Sequence, residues 1–203
     1  MRNAALLALA AVAPAASAGT VVLFDNLTPG YTRDKWLSVL RDSQPAVPFV
    51  ASVDADLASI ELPLTQNQQG TFSYIVRLYA ADPGDPGIPG GAPLAEWHGV
   101  PGGLATVAPT AAVALRAGAK YFVAVDVPDT RTNYDRGWHH QLEEYRAPMA
   151  AGYPGNWAST EHRTWWPAMR VLGETSVPAV PEPATLALGA LALASAAARR
   201  RRR

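Results

Sequence analysis

The residues best suited to chemistry lie in G-W-H-H-Q-L-E-E-Y, residues 137–145, with His162 further on. On a helix, His139 with Glu143 and His140 with Glu144 would stand at i, i+4, the spacing at which imidazole and carboxylate converge on a metal. No second, separated His pair exists and H-E-x-x-H is absent. The stretch therefore reads as a solvated polar loop or short helix, with no metal and no cofactor. Glycoside hydrolysis needs two carboxylates across a cleft, and adjacent residues such as Glu143 and Glu144 diverge. Ser73 falls in an expected strand and Ser159 in an expected loop, neither within G-x-S-x-G. The absence of cysteine excludes thiolate catalysis and cysteine-based zinc sites. A hydrolase is thus a distant reading, and the expectation is that the chain is not an enzyme.

Two other groups of side chains could bind without reacting. Asp82 and Asp85 in D-P-G-D-P-G (82–87) offer oxygens to calcium, but two carboxylates are a thin ligand set and ordinary turn chemistry accounts for both. Of the six tryptophans, Trp97, Trp138, Trp157, Trp165 and Trp166 follow residue 96. Tyr134, Trp138, Tyr145, Tyr153 and Trp157 lie among polar residues in what reads as one long loop region. Exposed rings stack on sugars, and long loops in compact domains are often functional. Glycan contact through Trp138, Tyr145 and Trp157 is accordingly the alternative function. Asn26-Leu27-Thr28 fits a glycosylation sequon, a pattern common by chance.

The elements that would position these residues read as strands. Thr20–Phe24, Leu57–Leu64, Thr71–Ala80, Lys120–Val127 and Trp165–Leu172 are β-branched, aromatic or alternating, and Pro63 predicts a strand end or edge. Gly- and Pro-rich turns separate them at 67–70, 82–93, 100–103 and 116–118. Arg33–Arg41 and the residues around Gln141–Arg146 are the only helix candidates in the exported part. The pattern predicts an all-β fold, a β-sandwich of jelly-roll-like form.

Both ends differ from this middle. Met1-Arg2-Asn3, an apolar run over Ala4–Val12 and Ala16-Ser17-Ala18 predict a signal peptide over 1–18, cleaved between Ala18 and Gly19. The sandwich domain is expected over 19–175 and a tail over 176–203. The chain has 17 basic and 17 acidic residues. Arg2 and Arg199–Arg203 supply six of the basic ones, so residues 19–183 keep 11 basic against 17 acidic, a net charge of −6. No basic stripe remains to neutralise phosphates, and nucleic acid is excluded as a partner.

V-L-F-D-N (22–26), V-R-L-Y-A-A-D-P-G-D-P-G (76–87), P-L-A-E-W (93–97) and L-R-A-G-A-K-Y-F-V-A-V-D (115–126) occur in an order similar to that of the exported bacterial domains called choice-of-anchor R. The resemblance covers roughly residues 20–172, with Phe24 where that family has tyrosine and Phe122 where it often has tryptophan. It implies a β-sandwich without assigned chemistry. On physical grounds, Gly118 lets R-A-G-A-K-Y reverse through a tight turn.

The tail carries the most specific signal. Val180-Pro181-Glu182-Pro183 precedes an apolar run, Ala184–Ala198, and then Arg199, Arg200, Arg201, Arg202 and Arg203. As a single hydrophobic helix those 15 residues cover only about 22 Å, against about 30 Å of bilayer core. The span is marginal as a lasting anchor, and the arginines stay on the cytoplasmic side. The segment Val177–Arg203 resembles the PEP-CTERM sorting signal. That resemblance implies an exosortase as processing partner, with transient inner-membrane insertion. It also implies export in a Gram-negative-type bacterium to the cell surface or extracellular matrix, in the company of exopolysaccharide and biofilm. The expected role is structural or adhesive.

Overall fold

In the computed structural model the described residues are 18–28, 30–39, 44–66, 73–128, 136–141, 147–154, 156–162 and 166–176. One compact unit spans Thr20–Thr175. The described residues are all-β, with no helix. The expected signal peptide up to Ser17, and all of the tail beyond Ser176, lie outside them. So do Glu143, Glu144 and Tyr145. Among the described residues, no helix is long and apolar enough to cross a membrane.

The strands are β1 (Ala18–Asp25), β2 (Tyr31–Ser38), β3 (Gln44–Val50), β4 (Ala55–Leu64), β5 (Ser73–Ala81), β6 (Pro89–Pro101), β7 (Gly103–Val107), β8 (Ala114–Leu115), β9 (Lys120–Asp126), β10 (Gly137–Gln141), β11 (Ala147–Tyr153), β12 (Asn156–His162) and β13 (Arg170–Ser176). They form two antiparallel sheets. One runs β1-β13-β4-β10-β2, with β7 and β8 also paired to β4; the other runs β12-β11-β3-β9-β5-β6.

Two expectations are corrected here. Tyr31–Ser38 is strand β2, where a helix is expected over Arg33–Arg41, because β10 offers it a ladder in which Trp138 pairs with Leu37 and His139 with Trp36. The loop expected around residues 133–157 contains β10, β11 and the start of β12.

A single core takes side chains from both sheets: Leu57, Ile60, Leu62 and Leu64 of β4 pack with Tyr74, Val76 and Leu78 of β5 and Val123 and Val125 of β9. β5 buries Ile75 and Tyr79 as well as Tyr74, Val76 and Leu78, while β4 comes closer to the period of a strand with one buried face. β9 departs from it. Tyr121–Asp126 is buried throughout, the pattern of a strand covered on both faces. The second face belongs to a smaller cluster, Ala46, Tyr79, Phe122, Ala124 and Ala150, against which Ile88 and Trp157 pack.

The cover over that second face is the β11–β12 hairpin. β12 stands four strands from β5 in the sheet order, about 19 Å if the sheet were flat at ~4.8 Å per strand. Trp157 of β12 nevertheless meets the Tyr79 ring edge-on at 5.8 Å. A Cβ on Gly87, in the β5–β6 turn, would lie 3.4 Å from Ser159 Oγ. The sheet therefore curls until the hairpin lies over its own outer face.

Prolines inside strands are placed by the same ladder logic. β3 pairs with β11 over 44–46 and with β9 over 46–50, so Pro45 and Pro48 each have a register partner on one side only. Pro63 faces Leu104 of β7, while on the other side β13 stops at Glu61 and β10 touches only Leu64. A residue without an N–H is tolerated where one side of the ladder is open. Pro63 thus marks a strand end, as expected, within a strand that is central.

Candidate functional site

The short motifs at 22–26, 76–87 and 115–126 hold the fold together. Asp25 accepts hydrogen bonds from Leu27 N (2.8 Å), Thr28 N (3.1 Å), Thr28 Oγ1 (3.1 Å) and Arg170 Nε (3.0 Å). Arg170 also reaches Glu61 Oε2 at 3.1 Å and Thr28 Oγ1 at 2.7 Å. Burial pushes the Asp25 carboxyl up, but the donors from Leu27, Arg170 and Thr28 outweigh it and hold the group below its ordinary value.

Asn26 is buried and behaves as a substitute strand partner. Its Nδ2 donates to Pro167 O at 3.1 Å, its Oδ1 accepts from Met169 N at 2.6 Å, and its own N–H donates to Met169 O at 3.1 Å. With Nδ2 engaged in the interior, Asn26-Leu27-Thr28 serves structure, not glycosylation.

In the second motif Arg77 lies between two carboxylates, with Nε 2.9 Å from Glu96 Oε2 and Nη1 2.9 Å from Asp126 Oδ2. His98 Nε2 completes the row, 2.5 Å from Glu96 Oε1. Burial disfavours the Arg77 charge, yet Asp126 and Glu96 raise its pKa overall. Burial likewise pushes Glu96 up, while Arg77 and His98 hold it below its ordinary value. The row ties β9, β5 and β6 together across one face.

The turn of R-A-G-A-K-Y is closed from several directions. Gly118 sits at φ +74°, a conformation that glycine adopts without strain. Arg116 N donates to Tyr121 Oη (2.8 Å), Ala117 N to Asp54 Oδ1 (2.7 Å) and Gly118 N to Ala51 O (2.9 Å). In D-P-G-D-P-G, Asp82 Oδ1 accepts from Gly84 N (2.8 Å) and Asp85 N (3.1 Å), and Asp85 Oδ1 accepts from Gly87 N (2.9 Å). These oxygens cap turns. No group of three or more potential metal ligands assembles among the described residues.

The predicted binding residues part company. Trp138 is fully buried and donates from Nε1 to Ala168 O at 2.7 Å. It cannot contact a glycan, and the expectation is corrected: the surrounding polar residues gave the segment a loop-like appearance while the ring fills the core. Trp157 is half-buried against Tyr79. His139 and His140 are buried in β10, which replaces the solvated loop or short helix. Neither belongs to a group of three or more potential metal ligands among the described residues. Ser159 is in β12, where a loop was expected. Ala18 and Gly19 open β1. His162 closes β12 opposite Ala147.

Two features escaped the sequence reading. Tyr74 Oη donates to Thr65 O at 3.0 Å and lies 2.7 Å from Thr65 Oγ1, which accepts from Gly137 N at 2.9 Å. This buried knot joins the end of β4, the start of β10 and β5 of the other sheet. Burial is the main cause of the raised pKa of Tyr74. The second feature is Trp36, an exposed tryptophan in a segment that reads as helix. Its nearness to Gly137 depends on pairing about a hundred residues apart in sequence, which no local pattern carries.

Residues 179–203 match the PEP-CTERM protein-sorting motif. No curated protein matches the chain. The match falls on the expected Val180, Pro181, Glu182 and Pro183 and on Arg199–Arg203.

Proposed function

We propose that this chain is an exported protein processed by an exosortase at its tail, with a structural or adhesive role at the cell surface or in an exopolysaccharide matrix. The observation that carries this reading is the sorting motif over 179–203. Its parts suit a peptidase at a membrane face. Pro181 and Pro183 keep Glu182 extended and out of a helix. The apolar run, Ala184–Ala198, inserts transiently, and the arginines stay on the cytoplasmic side of a Gram-negative-type inner membrane. The body is a β-sandwich of jelly-roll-like form, similar to choice-of-anchor R domains, and not an enzyme. In support, Asp25, Arg77, Asp82 and Asp85 are engaged in ion pairs or turn caps. The test is replacement of Pro181, Glu182 and Pro183 together by Ala. The expected outcome is accumulation of unprocessed, membrane-associated chain in cells with an active exosortase; processing at the normal rate would overturn the reading.

A carbohydrate-binding role is the second reading. Trp138 is removed from it by burial, but the exposed ring of Trp36 favours it from another place.

A further inference from the structure

Trp36 lies in β2, a rim strand whose pairing is with β10. It keeps 39% of its surface exposed, whereas the other large exposed apolar side chains among the described residues, Val22, Val50, Val53, Leu94 and Leu104, are aliphatic. The ring is laid against Gly137: a Cβ built there would collide with Trp36 Cδ1 and Cγ. Glycine thus lets the indole approach the β10 backbone more closely than any side chain at 137 would allow. His139 meets the ring edge-on at 6.3 Å and 79°, and Tyr31 lies 5.8 Å beyond His139. His139 is 8% exposed and fills the floor beneath the two outer rings. The indole is therefore fixed in place before any ligand arrives, which lowers the ordering cost of binding.

We propose that Trp36, seated on Gly137 and steadied by His139 and Tyr31, is a binding platform for the pyranose rings of a neutral polysaccharide. The exposed part of the Trp36 indole suits the C–H face of a sugar, which is apolar while its rim is all hydroxyl. The neighbouring ring of Tyr31, only partly buried, carries a polar edge, which fits a hydroxyl-dense ligand better than an aliphatic protein surface. The net charge of −6 over residues 19–183 disfavours anionic polymers. The site is a surface ring on a sheet rim, so it takes a polymer lying across it and binds each unit weakly. Binding in vitro requires no processing of the tail, so its failure and the failure of the sorting reading are separable.

The test is native gel electrophoresis of the purified exported chain through gels containing hydroxyethyl cellulose, soluble β-1,3-glucan or galactomannan. At least one polymer should retard the wild-type chain. Trp36→Ala should weaken that retardation at least about tenfold, as loss of a stacking contact does. Trp36→Phe should keep part of it, Gly137→Ala should lose it by displacing the indole, and Leu94→Ala should match wild type. No retardation by any of the three, or a Trp36→Ala chain retarded like wild type, overturns the proposal. If Trp36→Ala lowers the melting temperature, the wild-type chain carries the test through 19F NMR with fluorotryptophan. The Trp36 resonance should shift on adding cellohexaose, laminarihexaose or mannohexaose, and a resonance unmoved by all three contradicts the platform. A Trp36-dependent dimer in gel filtration would contradict it too, by giving the ring a protein partner.

Discussion

The body and the tail use short motifs in opposite ways. In Thr20–Thr175 the segments D-N, R-L-Y, D-P-G-D-P-G and R-A-G-A-K-Y close on the chain itself: Asp25 on Arg170, Asn26 on Met169, Arg77 on Asp126, Arg116 N on Tyr121. In residues 179–203 the matched motif is one for protein sorting, a role fulfilled through another molecule. A motif by itself does not say whether it is folded or read. The partner atoms decide, and in the body they are found within the chain.

That contrast predicts a graded response, with body substitutions acting on stability and tail substitutions on processing. The largest effect should come from Trp138→Ala, which empties the middle of the core and leaves Ala168 O without its donor. A loss of about 3–5 kcal/mol in denaturant unfolding is expected. A Trp138→Ala chain as stable as wild type would place that ring outside the core. Asn26→Ala should follow, at about 2–3 kcal/mol, because it strands the buried Met169 N–H and Pro167 C=O. Unchanged stability there would mean that the motif is read and not folded.

A smaller effect concerns acid. The Asp25 and Glu96 carboxyls are held below their ordinary values of 3.8 and 4.5. The stability they contribute is therefore fully present above those values and is lost as pH falls through the lower folded values. Melting temperature measured from pH 6 downward should be level at first and then fall below about pH 4.5. Replacing Asp25 by Asn and Glu96 by Gln should flatten the fall, and an undiminished fall would show that other groups carry it.

Legibility in the sequence followed from how local each determinant was. Strands β1, β4, β5 and β9 were legible because β-branched and aromatic residues cluster in them. Gln44–Val50 was not, because Pro45 and Pro48 read as breakers; only the staggered neighbours on either side make them acceptable. β6 was hidden in the same way by Pro89, Pro93 and Pro101, which an edge strand tolerates. Trp36, Leu37 and Val39 mimic a helical stripe, and only the pairing with β10 turns Trp36 outward. Of the expected glycan contacts, Trp138 lies among polar neighbours in sequence and is core, while Trp36, for which the sequence carried no such expectation, is exposed. The sorting motif was legible because its residues are contiguous in sequence.

The most direct test of the account is the intact mass of the exported chain from cells with an active exosortase. The account predicts a body that begins at Gly19 and has lost Arg199–Arg203, together with full-length tail in cells lacking the peptidase. A chain from active cells that still carries Arg203 would contradict it.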